Sequence, residues 1–118
     1  MPKIIDDVKN SIVREAQKQV LESGYANMTI RSVAKGCGIA VGTIYNYFPS
    51  KDMMTAAFML EDWLAALAAM ERGCKDADGP RDAFRAVYAE LTAYTDKYRR
   101  LFEDSAATKS LGGAFYAR

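Results

Sequence analysis

The sequence predicts an all-α fold, and three observations carry the prediction. Apolar residues recur at spacings of three and four over residues 4–23 and again over residues 84–102. No stretch alternates apolar and polar residues as a half-buried strand would, and there is no internal repeat. Glycines and prolines fall between the periodic runs, at the positions where helices start and stop.

Each element can be justified in turn. Ile4, Ile5, Val8, Ile12, Ala16 and Val20 line one face of a first helix, with Lys9, Arg14, Lys18 and Glu22 between them. Gly24 suits the left-handed residue that ends such a helix. Thr29 offers a side-chain oxygen to the free amides of a short second helix that turns Ile30, Val33 and Ala34 inward. The run Gly36-Cys37-Gly38 breaks it, and a third helix from about Val41 to Phe48 is closed by Pro49. Ser50 can cap a fourth helix over about 51–72, which is apolar on more than one face: Met54, Phe58, Trp63, Leu64 and Leu67 stand beside six alanines. Residues 73–79 read as a loop, and Pro80 is placed to open a fifth helix. That helix carries Phe84, Val87, Tyr88, Leu91, Tyr94, Tyr98, Leu101 and Phe102 as one stripe. Residues 105–118, rich in Ala, Gly and Ser, give no strong signal.

Composition narrows the function. Half of the 118 residues are hydrophobic and 26% are charged, an ordinary globular balance. A chain of this length buries roughly 65% of its unfolded surface, and a single core is expected. Glu61 and Asp62 interrupt the apolar run from Met53 to Met70, so neither a transmembrane helix nor a signal peptide is read. There is no histidine, and Cys37 and Cys74 are far apart, so no metal site, cofactor or disulfide framework is expected. A reduced, cytoplasmic location fits. The net charge of +1 hides an asymmetry: residues 1–51 hold seven basic and four acidic residues, residues 52–118 nine and eleven. From Ser23 to Lys51 there are three cations, Arg31, Lys35 and Lys51, and no acid. Such a window suits a polyanion, although chance clustering in a short stretch gives the same pattern.

Two short helices joined by a tight glycine-containing turn are the ingredients of a helix-turn-helix. With Val41 set at zero and about 100° per residue, Ile44, Tyr45 and Phe48 fall inward while Thr43, Asn46 and Tyr47 point outward. The outward groups can read base edges: Asn pairs bidentately with adenine, and Thr offers a methyl or a hydroxyl. Tyr45 can equally be half-buried core. Lys51, a cation in the first turn of a helix, opposes the macrodipole by a few tenths of a kcal/mol, which a bound phosphate would offset. Compensation by Asp52, with Lys51 merely solvated, is the alternative. Gly36-Cys37-Gly38-Ile39-Ala40-Val41-Gly42 spells a dinucleotide-binding loop with its last glycine one residue late and no strand before it, and is rejected. Asn27-Met28-Thr29 spells a glycosylation site without a secretory signal and is rejected too.

The runs Thr29-Ile30-Arg31-Ser32-Val33-Ala34 and Gly38-Ile39-Ala40-Val41-Gly42-Thr43-Ile44-Tyr45-Asn46-Tyr47-Phe48-Pro49-Ser50-Lys51 resemble the signature of the TetR family of bacterial transcriptional regulators, over roughly residues 8–58. The resemblance implies a helix-turn-helix DNA-binding domain at 1–51, then a connecting helix and a partial helical body for ligand binding and dimerisation at 52–118. It implies phosphate contacts at Thr29, Tyr47 and Lys51, base or nearby phosphate contacts at Arg31, Thr43, Tyr45 and Asn46, and close backbone approach at Gly42. Val41 starts the reading helix at a position often basic or polar in the family, and Ala40 stands where the family often has a capping Ser. The aromatic residues Phe58, Trp63, Tyr88, Tyr94 and Tyr98 are candidates for a ligand pocket, with plain core the alternative.

The function these readings predict is a sequence-specific transcriptional regulator, a repressor. It would bind a palindromic operator in double-stranded DNA as a homodimer and release it when a small-molecule effector enters the body. The resemblance also implies a lever, in which ligand shifts the fourth helix and changes the spacing of two recognition helices. A helical protein–protein interaction module is the second reading. An enzyme is the weakest, since no histidine, nucleophile motif or partnered carboxylate pair is present. Family members carry a longer body than these residues provide, so the pocket is expected to be incomplete.

Overall fold

The computed structural model describes residues 3–116, with side chains described over 7–113. Among the described residues there are seven α-helices and no strand, as the periodicity requires. The first, α1, spans Lys3–Ser23 and buries Ile12, Val13, Ala16 and Val20. Ile4 and Ile5, assigned to the same stripe, lie outside the described side chains. Gly24 ends the helix at φ 89°, and one 3₁₀ turn, Tyr25–Asn27, leads into α2 at Ile30–Cys37. The helix continues through Gly36 and Cys37 and stops at Gly38. There φ is 69°, and the next amide, Ile39 N, donates to Ala34 O at 3.0 Å. That is a left-handed helix ending, which glycine adopts without steric cost.

The third helix, α3, is shorter than predicted, Val41–Tyr45 rather than a helix to Phe48. The residue before Pro49 is disfavoured in helical conformation, and the chain leaves the helix through a turn at Asn46 and Tyr47. Ser50 caps α4, accepting from Met53 N at 3.2 Å. That helix runs Lys51–Asp76, so residues 73–76, expected in a loop, are its last turn. Gly73 does not break the helix; a Cβ there would lie 2.5 Å from the Ala86 Cβ, so the glycine lets α5 approach closely. By length and composition α4 could cross a membrane, but Thr55 and Phe58 are fully buried within the chain and Asp62 binds partners on α5.

Pro80 opens α5, Pro80–Lys97. The predicted stripe does not stay on one helix. Tyr98 ends α5, α6 spans Arg99–Glu103, and α7 spans Ser105–Tyr116. Asp104 caps α7, its Oδ1 accepting from Ala107 N at 3.0 Å.

The expected single core is replaced by two compact units: the residues up to Phe58 together with those from Arg100 onward, and Met59–Arg99. A helix of 26 residues is about 39 Å long, more than one small core can cover. In the first unit Ile12, Met28, Val33, Ile44, Met54 and Phe58 are sealed from solvent, and Leu101, Ala107 and Leu111 are buried with them. In the second, Met59, Met70 and Tyr98 are buried, while Leu64, Phe84, Tyr88 and Leu91 are exposed.

Candidate nucleic-acid interface

The orientation of α2 is set by its first turn. Thr29 Oγ1 accepts from Ser32 N at 2.9 Å and Ser32 Oγ accepts from Thr29 N at 2.8 Å, a reciprocal cap that satisfies two amides. Ser32 also ties the turn to α1: its hydroxyl donates to Gln19 Oε1, and Gln19 Nε2 donates to Ser32 O at 3.1 Å. With Val33 and Ala34 buried beneath, Arg31 and Lys35 are left exposed.

The start of α3 has no side-chain cap, as Ala40 requires; Thr43 N donates only to the Ala40 carbonyl, at 3.0 Å. Five residues do not make a stable helix alone, so packing must hold it. Ile44 is its buried residue, at 0% exposure, with Phe48 buried just beyond. Tyr45 does not turn inward as the wheel suggests; it is 54% exposed. The reason is the choice of origin. The inner face centres on Ile44, which puts Tyr45 about 100° to one side, Tyr47 about 60° to the other and Asn46 about 160° away. Accordingly Tyr45, Asn46 and Gly42 are exposed, while Val41, Thr43 and Tyr47 are half-buried.

Gly42 is informative because no described residue packs against it. Its φ is not positive, and among the described residues no atom beyond its chain neighbours and its own helix backbone lies within 4 Å of the place a Cβ would occupy. Glycine inside a helix costs up to about 1 kcal/mol relative to alanine.

Lys51 is not simply solvated. Its Nζ lies 3.9 Å from the centre of the Tyr25 ring, within cation–π range. The Tyr25 hydroxyl donates to Asp52, and Ser110 on α7 donates to the same carboxylate. Burial pushes the Tyr25 hydroxyl up to about 12, with the hydrogen bond to Asp52 adding to the effect. Burial also moves the Lys51 ammonium below its ordinary value, against the opposing pull of Asp52 and Asp104. The sequence reading missed Tyr25 and Ser110. The position of Tyr25 directly after the helix-ending Gly24 was the one available hint, and nothing local marks Ser110.

Of the five aromatic pocket candidates, the structure gathers three. Trp63 and Tyr94 meet edge to face at 5.3 Å between centroids, as do Tyr94 and Tyr98 at 5.2 Å. Tyr94 donates to Met59 O at 3.0 Å, and Lys97 and Tyr98 both donate to Asp62. A cleft of about 260 Å³ beside them is lined by Asp62, Glu90, Tyr94 and Lys97 with three alanines. Burial, then Asp62, raises the Tyr94 hydroxyl. Tyr88 is apart, 61% exposed and stacked on Phe84 at 6.2 Å, and Phe58 belongs to the core of the other unit.

The family model for bacterial regulatory proteins of the tetR family matches residues 12–58, which contain α2, α3 and Lys51. Over 60 residues the chain is 32% identical to the HTH-type transcriptional regulator UidR of Escherichia coli K12, covering 51% of this chain and 31% of that protein. Residues 12–58 are thus a DNA-binding region of the TetR type. Another relative, the HTH-type transcriptional repressor KstR of Rhodococcus jostii RHA1, is 37% identical over 54 residues, 39% of this chain and 26% of KstR. The chain thus aligns with less than a third of the length of either relative. In fold, it is similar to the fatty acid degradation regulator FadR of Bacillus halodurans at a TM-score of 0.67 and 19% identity, over 93% of this chain and 64% of that one. The all-α helix-turn-helix fold of the chain is therefore shared with a solved regulator.

Proposed function

We propose that the chain is the DNA-binding part of a cytoplasmic transcriptional regulator, a repressor that grips a palindromic operator as a homodimer and is released when a small molecule occupies its helical body. Residues 1–51 make the DNA-binding domain and 52–118 contribute to the body. The chain binds and performs no catalysis.

The observation that carries the reading is the surface of α2 and α3. It is free of acidic side chains, its glycine at 42 leaves room for an outside surface, and it lies within the residues that match the family. Asn46 and Tyr45, exposed on α3, are assigned to base edges, with Thr43, Arg31 and Val41 beside them. Thr29, Tyr47 and Lys51 are assigned to phosphates. The Thr29 hydroxyl, an acceptor in its cap, keeps its own hydrogen to donate to a phosphate oxygen. Trp63, Tyr94 and Tyr98 are assigned to the effector side, while Tyr88 is exposed and stacked on Phe84.

A salt titration of duplex binding tests the reading. A dimer making about 6–10 phosphate contacts loses affinity with a log–log slope near −5 to −9. A flat response would favour a helical protein-interaction role and overturn the DNA reading.

A further inference from the structure

The geometry points to Tyr25 as the positioning residue for Lys51, its ring holding the lysine ammonium where a DNA phosphate is met. The inference rests on the assignment of Lys51 to phosphate made above. A lysine side chain on a helix surface is flexible and samples many rotamers, so a phosphate contact made through it pays to order it at the moment of binding. Here the ordering is already built. The Nζ stands 3.9 Å from the Tyr25 ring centre, over the negative face of the ring.

The ring is itself fixed at both ends. Its backbone lies in the 3₁₀ turn after Gly24, where Met28 N donates to Tyr25 O at 3.2 Å. Its hydroxyl donates to Asp52, the residue after Lys51 on α4. This bond has a second effect. Asp52 is the carboxylate best placed in sequence to draw Lys51 into an ion pair, and it is occupied by hydroxyls from Tyr25 and Ser110. An ammonium stacked on a neutral ring keeps its hydrogens for an incoming anion, whereas one paired to a carboxylate must give up a partner first. The hydroxyl of Tyr25, raised by burial, stays protonated and donating at neutral pH.

The test uses the whole chain and a mixed-sequence DNA duplex, with the salt slope as readout. Lys51→Ala is expected to reduce the slope by about 0.9 per chain, one phosphate contact. Tyr25→Leu, which removes the ring face, is expected to lose roughly two- to fivefold in affinity, the value of an exposed cation–π contact. That loss disappears when Lys51 is already alanine. Tyr25→Phe, which keeps the ring, retains most of the affinity. A Tyr25→Leu loss of equal size with and without Lys51, or no loss at all, overturns the inference while the phosphate assignment stands. An unchanged slope in Lys51→Ala overturns both. A readout independent of any variant is the proton spectrum of the unaltered chain: the ring must shift the Lys51 ε-methylene protons upfield, and unshifted protons would refute the stacking.

Discussion

Replacing Gly73 with alanine should destabilise the chain, although alanine is the better helix former. The new Cβ would lie 2.5 Å from the Ala86 Cβ, at least about 1 Å inside the ordinary carbon–carbon separation of about 3.5–4.0 Å. Neither atom can swing away, because each is fixed directly to its backbone. Overpacking of this kind costs about 1–3 kcal/mol, against at most about 1 kcal/mol recovered from helix propensity. The expected net loss is about 1 kcal/mol, a fall of roughly 4 °C in Tm for a domain of this size. Gly113, on α7 with nothing within 4 Å of its missing Cβ, provides the control. Gly113→Ala should stabilise by about 0.5–1 kcal/mol. Thermal and urea unfolding followed by far-UV circular dichroism measure both. Adding Ala86→Gly to Gly73→Ala should recover the overpacking cost as a coupling energy of about 1–3 kcal/mol. Stabilisation by Gly73→Ala, or strict additivity with Ala86→Gly, would refute the close approach of the two helices.

Three further outcomes are expected. Gly42→Ala should leave stability unchanged or raise it by up to about 1 kcal/mol, since the site is open, yet weaken duplex binding; equal binding in a gel-shift titration would remove the case for close DNA approach there. Ile44→Ala empties the one buried position of α3 and should cost about 2–5 kcal/mol, read from denaturant midpoints; a loss under 1 kcal/mol would mean the helix is held otherwise. The Tyr25 hydroxyl sits at about 12 in the folded chain against 10 unfolded, so its contribution is fully present below pH 10 and is lost as pH rises through 12. For a ring still reached by solvent this amounts to about 1 kcal/mol, to be seen as a steeper alkaline stability loss in the unaltered chain than in Tyr25→Phe, and identical curves would count against it.

How far the sequence could be read follows from where its signals are local. Thr29, Gly38, Ser50 and Pro80 each act on the few amides beside them, and the structure puts a helix boundary at every one. Gly73 misled because a glycine's reason can lie on another helix; only the presence of Ala86 distinguishes a break from a close approach. Asp104 caps α7 without a clear local signal, because the residues after it, rich in Ala, Gly and Ser, carry no apolar periodicity to mark a helix start. Tyr45 was turned the wrong way because a wheel needs the true centre of burial, and in so short a helix that centre is one residue, Ile44. The charge window and the family signature single out residues 23–51 as the candidate interface, but the Tyr25–Lys51 stack joins residues 26 apart in sequence, and no periodicity reports such a pair. The aromatic stripe read as one helix is divided at Tyr98.

The central claim is that the exposed face of α3 reads a DNA sequence, and selection of bound duplexes from a random pool tests it most directly. The account predicts one enriched half-site, inverted and repeated where two chains bind, with Asn46→Ala relaxing the preference at a single base pair and Lys51→Ala weakening all sequences alike. A pool that returns no enriched sequence, with Asn46→Ala and Lys51→Ala indistinguishable on it, would contradict it.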